Sequence, residues 1–99
     1  MVLESKAIVQ SRGSLWRGIE AVGGRFTLTE KSLSFRAHAL NVQSEPLDIP
    51  VRDIVGMRKF RTLGIFANGL AVTTISGDEH RLTIGKRGAF LEAITRLNA

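Results

Sequence analysis

Glycine punctuates much of this chain, at ten positions, and the apolar runs beside it are short. Gly23-Gly24, Gly69 and Gly77-Asp78 each stand between short runs rich in Val, Ile, Thr and Phe, residues that suit a pleated, half-buried surface. The runs alternate. Phe26 and Leu28 share a face in Arg25–Thr29, and Leu33 and Phe35 share one in Ser32–Arg36, the period of strands with one side in a core. Only Glu30-Lys31 separates these two runs, so they read as a tight hairpin, although without the favoured Asn-Gly or Asp-Gly pair. Leu47 and Ile49 precede Pro50, which marks an edge strand or a strand end because proline donates nothing to a ladder. Ile54–Arg61, with Val55 and Met57 alternating, Leu70–Ile75 and Arg81–Ile84 follow. Ser76-Gly77-Asp78-Glu79 reads as a hairpin turn between the last two. Near the N-terminus, Lys6–Val9 and Leu15–Ile19 look like two strands, with Gly13 between them as a bulge or bend.

The period then changes. Phe90, Leu91, Ile94 and Leu97 fall at helical spacing, with Arg87, Glu92, Arg96 and Asn98 largely on the other side. A helix of this length is marginal in water and must pack on something. Six to eight short strands followed by one amphipathic helix describe a small antiparallel sheet covered at one end. The 99 residues fit a single domain spanning 1–99, whose core is modest because such a chain buries only about 60–65% of its unfolded surface.

Cysteine is absent, which removes disulfides and thiolate chemistry and fits a reducing, cytoplasmic compartment. No apolar run exceeds three residues, so neither a transmembrane span nor a signal-peptide core is expected. The net charge is +5, and it is uneven: residues 1–49 carry six Lys/Arg against five Asp/Glu, residues 50–99 eight against four. A basic balance favours anionic partners, or simply keeps a small protein in solution.

Ala21-Val22-Gly23-Gly24-Arg25-Phe26-Thr27-Leu28-Thr29 resembles the glycine-pair, strand and Leu-Thr signature of GRAM domains. Lys31–Phe35 looks like that family's next strand. Leu47-Asp48-Ile49-Pro50-Val51-Arg52-Asp53-Ile54 is similar to its Ile-Pro segment, and Leu63-Gly64-Ile65-Phe66-Ala67-Asn68-Gly69-Leu70 to its following loop. The resemblance covers about residues 15–97. It implies a mainly β, pleckstrin-homology-like barrel of about seven antiparallel strands in two near-orthogonal sheets, capped by one C-terminal α-helix. It also implies a binding module whose relatives take membrane lipids or proteins. In lipid-binding pleckstrin homology domains, basic residues around the first hairpin usually hold the headgroup. Here that hairpin turn reads as Val22-Gly23-Gly24-Arg25, with one Arg. The loop before Glu45 offers His38, Asn41 and Gln43, and the late turn is acidic at Asp78-Glu79. The chain therefore departs from the inositol-phosphate pattern.

Neither a catalytic site nor a metal site is expected. His80 follows Asp78-Glu79, but at a hairpin turn neighbouring side chains diverge, and His38 has no neighbouring acid or nucleophile. Two histidines without cysteine give no ligand spacing, and no cofactor motif is present. The densest basic cluster, Arg58, Lys59 and Arg61, is the candidate anion-binding site, and its alternative is a solvated strand edge guarded against pairing. Ile65 and Phe66, which follow it, form either a membrane-facing tip or, as the favoured expectation, a plug closing the barrel's end. Trp16 and Phe60 are the plausible base-stacking residues, with Trp16 expected half-buried near the helix, and nucleic acid ranks third. The leading expectation is a non-enzymatic module drawn to anionic lipid. A protein partner bound as a peptide at a sheet edge or beside the helix is the alternative, and the oligomeric state is left open.

Overall fold

The alternating segments form seven strands: β1 Val9–Arg17, β2 Glu20–Leu28, β3 Ser32–Ala37, β4 Leu47–Pro50, β5 Ile54–Thr62, β6 Phe66–Thr74 and β7 Glu79–Ile84. A single 3-10 turn, Val51–Asp53, joins β4 to β5, and the helix α1 spans Arg87–Leu97. The computed structural model describes residues 6–38 and 44–99, so Asn41 and Gln43 lie outside it. All neighbouring strands are antiparallel, in the order β4-β3-β2-β1-β7-β6-β5. The two expected sheets are thus halves of one continuous ladder curled into a half-barrel. Their seam is short: β1 pairs with β2 along its whole length but with β7 only through Gly13, Ser14 and Leu15.

The seam explains Gly13. The N-terminal stretch is one unbroken strand, not two, and Gly13 is no bulge but pairs with Gly24 on one side and Ile84 on the other. A Cβ there would run into the Thr83 carbonyl oxygen and stand 2.8 Å from Ile84 Cγ2. Gly24 has a similar reason, since a Cβ would meet the Arg36 carbonyl oxygen and come within 2.6 Å of the Phe35 ring. Gly23-Gly24 therefore lies inside β2, and the first hairpin turns instead at Gly18-Ile19. At the second hairpin, Thr29 supplies the turn chemistry that an Asn-Gly pair would have brought. Its Oγ1 accepts from the Lys31 and Ser32 amides at 3.2 and 3.1 Å.

Phe26, Leu28, Leu33 and Phe35 are all fully buried, as their alternation requires, and the rings of Phe26 and Phe35 meet at 4.8 Å. Leu70, Val72, Leu82 and Ile84 line the other half, and Phe90 and Ile94 of α1 complete the core. Leu91 and Leu97 pack on it only partly buried. The helix is pinned at both ends. Arg87 donates to the carbonyls of Phe60 and Gly69, and Asn98, expected on the polar side, donates to those of Val51 and Ile54. Val55 breaks the expected pattern on β5. A register shift between Ile54 and Gly56 turns it outward, so that Ile54 takes its place in the core beside the expected Met57.

Candidate functional site

The basic triplet does not form one patch: Arg58 and Lys59 point to opposite faces, and a register shift between Phe60 and Thr62 takes Arg61 out of the alternation that would set it beside Lys59. Arg58 makes an ion pair with Glu79 of β7, its Nη2 donating to both carboxylate oxygens at 3.2 and 3.3 Å. Lys59 lies on the helix side, where it lines a groove of about 530 Å³ with Leu91, Glu92 and Thr95 of α1. Arg61 stands beside the β5–β6 turn in a separate depression.

That depression brings two hairpin turns together. It measures about 300 Å³, and its lining includes Trp16, Ile19, Phe60, Arg61, Leu63 and Arg81. The floor is tied down. Trp16 Nε1 donates to Thr83 Oγ1 at 3.0 Å, and Thr83 Oγ1 shares a hydrogen bond with Thr62 Oγ1 at 3.1 Å. The Arg81 guanidinium sits 4.9 Å over the Phe60 ring. Trp16 is thus half-buried on the sheet face opposite Leu15, away from the core that α1 covers, and not near the helix.

The two turns present apolar side chains to solvent. Ile19 is 100% exposed, Leu63 76%, Ile65 69% and Phe66 53%. Ile65 and Phe66 therefore do not plug the barrel's end. The hydrogen bond from Ile65 N–H to the Thr62 carbonyl closes the β5–β6 turn at 3.1 Å, and both central residues are left-handed, Leu63 at φ 55° and Gly64 at φ 72°. This is a type I′ geometry, which favours Asn or Gly at both positions. Leucine in the first of them is an outlier.

Comparison with solved structures reports on the scaffold that carries these turns. The chain is similar to the crystal structure of the C-terminal domain of an unknown protein from Leishmania infantum, with a TM-score of 0.79 at 18% identity over 94% of this chain and 84% of that one. It is similar also to the N-terminal PH domain of Vps36, with a TM-score of 0.69 at 18% identity over 98% of this chain and 83% of that one. The fold is pleckstrin-homology-like. No family model matches the chain, and no curated protein does.

In this PH-like frame the first hairpin turn is Arg17-Gly18-Ile19-Glu20, and Arg25 lies well inside β2. Arg17 is already engaged by Glu45 at 3.4 Å and by the face of Phe35. What the turn presents is an isoleucine. The acidic residues near His80 are also engaged elsewhere. Glu79 and His80 lie in β7 and not in the turn; Glu79 holds Arg58, and Asp78 accepts from Ser76 at 3.2 Å. Among the described residues no helix is long and apolar enough to cross a membrane. Ile19 and Leu63 escaped the sequence reading, because an isoleucine after Trp16 continues a strand pattern and a leucine before a glycine reads as core. A two-residue loop between alternating runs was the one available signal.

Proposed function

We propose that this chain is a non-enzymatic binding module of the GRAM type that docks on anionic membrane surfaces through its β1–β2 and β5–β6 turns. One observation carries the reading: Leu63 is strained and exposed at once. A left-handed L-residue costs about 1–2 kcal/mol, and in the free protein Leu63, 76% exposed, recovers little of it by burial. Entering the acyl boundary with Ile19, Ile65 and Phe66 would recover it, since a buried leucine is worth about 1.5–3 kcal/mol. Arg61, beside the turn, meets the headgroups and contributes about 1 kcal/mol. Lys59 adds to the long-range attraction, and the charge of Arg58 is offset by Glu79. The module would then work as a peripheral membrane protein on a cytoplasmic face.

The test is vesicle sedimentation with phosphatidylserine-rich liposomes over a salt series, using parent and Leu63→Asn protein. Asparagine tolerates the left-handed region, so the variant should melt several degrees higher, at about 4–8 °C per kcal/mol in a domain this small. Its partitioning should fall by about tenfold, and parent binding should fade with salt. Equal partitioning of the two proteins would refute the tip. A second reading draws on β5, an outermost strand whose free edge runs beside the groove under α1. A peptide added there as an eighth strand would bind with little salt dependence and no sensitivity to Leu63→Asn.

A further inference from the structure

A second concentration of charge lies elsewhere on the sheet. The register sets Arg12 of β1 directly opposite Arg25 of β2, and Arg25 directly opposite Arg36 of β3. Three like charges in a row across adjacent strands oppose folding. Arg36 is relieved by an ion pair with Asp48 of β4, its Nη2 donating to both carboxylate oxygens at 3.1 and 3.2 Å. Among the described residues Arg12 and Arg25 have no acidic partner. A third cation joins them: Lys86, held between β7 and α1, lines with Arg12 and Arg25 a depression of about 310 Å³. Gln10 and Ser11 complete the lining, and it contains no carboxylate.

We propose that Arg12, Arg25 and Lys86 form a binding site for a phosphomonoester group, the ligand supplying the countercharge that the fold leaves out. Two guanidinium groups present paired N–H donors that match phosphate oxygens, and the ammonium adds a compact charge. A dianion satisfies three cations better than a monoanion does. The depression shares no lining residue with the one between the hairpin turns, so the site does not depend on the membrane reading. Its phosphate comes either from a lipid headgroup or from a soluble metabolite.

The experiment follows thermal melting and amide chemical shifts of the full chain on titration with phenyl phosphate, with phenyl sulfate as the monoanionic control. Phenyl phosphate should raise the melting temperature and move the amides around Arg12, Arg25 and Lys86, and phenyl sulfate should do so more weakly. Arg25→Gln relieves the like-charge row, so without ligand this variant should melt no lower than the parent. Its affinity for phenyl phosphate should drop by about tenfold or more, the loss expected for a charge-assisted hydrogen bond. Arg52→Gln, an exposed arginine outside the depression, should bind as the parent does. Inositol hexakisphosphate in solution and vesicles carrying phosphatidylinositol monophosphate then separate the two sources: retention on vesicles with weak soluble binding assigns the headgroup, and the reverse assigns the metabolite. Equal responses to phosphate and sulfate, or equal losses in Arg25→Gln and Arg52→Gln, would reduce the site to general basicity and overturn the proposal.

Discussion

Replacing Phe90 and Ile94 together by alanine should leave the protein largely unfolded at physiological temperature. Both side chains are fully buried against the sheet, and single truncations of this kind cost about 3–5 kcal/mol for Phe and about 2–5 kcal/mol for Ile. The two losses share a cavity and do not simply add. Even so, their combined effect approaches the whole stability of a small domain, about 5–15 kcal/mol. Arg87 and Asn98 hold the helix ends to the carbonyls of Phe60, Gly69, Val51 and Ile54, but a helix this short does not persist on four hydrogen bonds alone. Leu97→Ala should cost clearly less, because Leu97 is only partly buried. Urea unfolding followed by circular dichroism measures the difference. A double variant with a cooperative transition near the parent's would show that the sheet holds its core without the cap.

Gly13→Val should be nearly as damaging although it adds only three carbons. Its Cβ would occupy the space of the Thr83 carbonyl oxygen, a backbone atom of the paired strand. That atom moves only if β7 moves, and β7 also carries the buried Leu82 and Ile84. Overpacking of a fixed site costs about 1–3 kcal/mol and more when backbone must shift, so a loss of about 3 kcal/mol or more is expected. Gly85→Ala is the control, since a Cβ there meets nothing within 4 Å and the change should stay within about 0.5 kcal/mol. If the two variants melted together, the close approach at the seam would not matter to stability.

These glycines show where a sequence stops being readable. Phe26, Leu28, Leu33 and Phe35 announce their burial through alternation, and Phe90 and Ile94 through helical spacing, because each pattern is local. A missing side chain is ambiguous. At Gly18 and Gly64 it permits a left-handed turn, at φ 65° and 72°, whereas at Gly13 and Gly24 it admits a neighbouring strand. Only the partner tells which. The register shift near Val55 exchanges Val55 for Ile54 in the core at the start of β5, and no residue type signals it. Charge was misleading for the same reason. Arg58, Lys59 and Arg61 are neighbours along the chain and diverge in space, whereas Arg12 and Arg25 become neighbours only through hairpin register.

The narrow β1–β7 seam also bears on how the chain finds its fold. Every other ladder joins strands consecutive in sequence, so β1–β4 and β5–β7 are two meanders that form through short loops. Among the ladders of the described residues the seam alone joins distant chain: Trp16 and Thr83, bonded across it, are 67 residues apart. Closing so long a loop is an entropic cost met in one event, and non-local pairing of this kind sets folding rates. Docking of the two meanders is therefore expected as the late, rate-limiting step. A mild seam substitution such as Ser14→Gly should then act mainly on the folding limb of a chevron plot, and an effect confined to the unfolding limb would place seam pairing after the rate-limiting step instead.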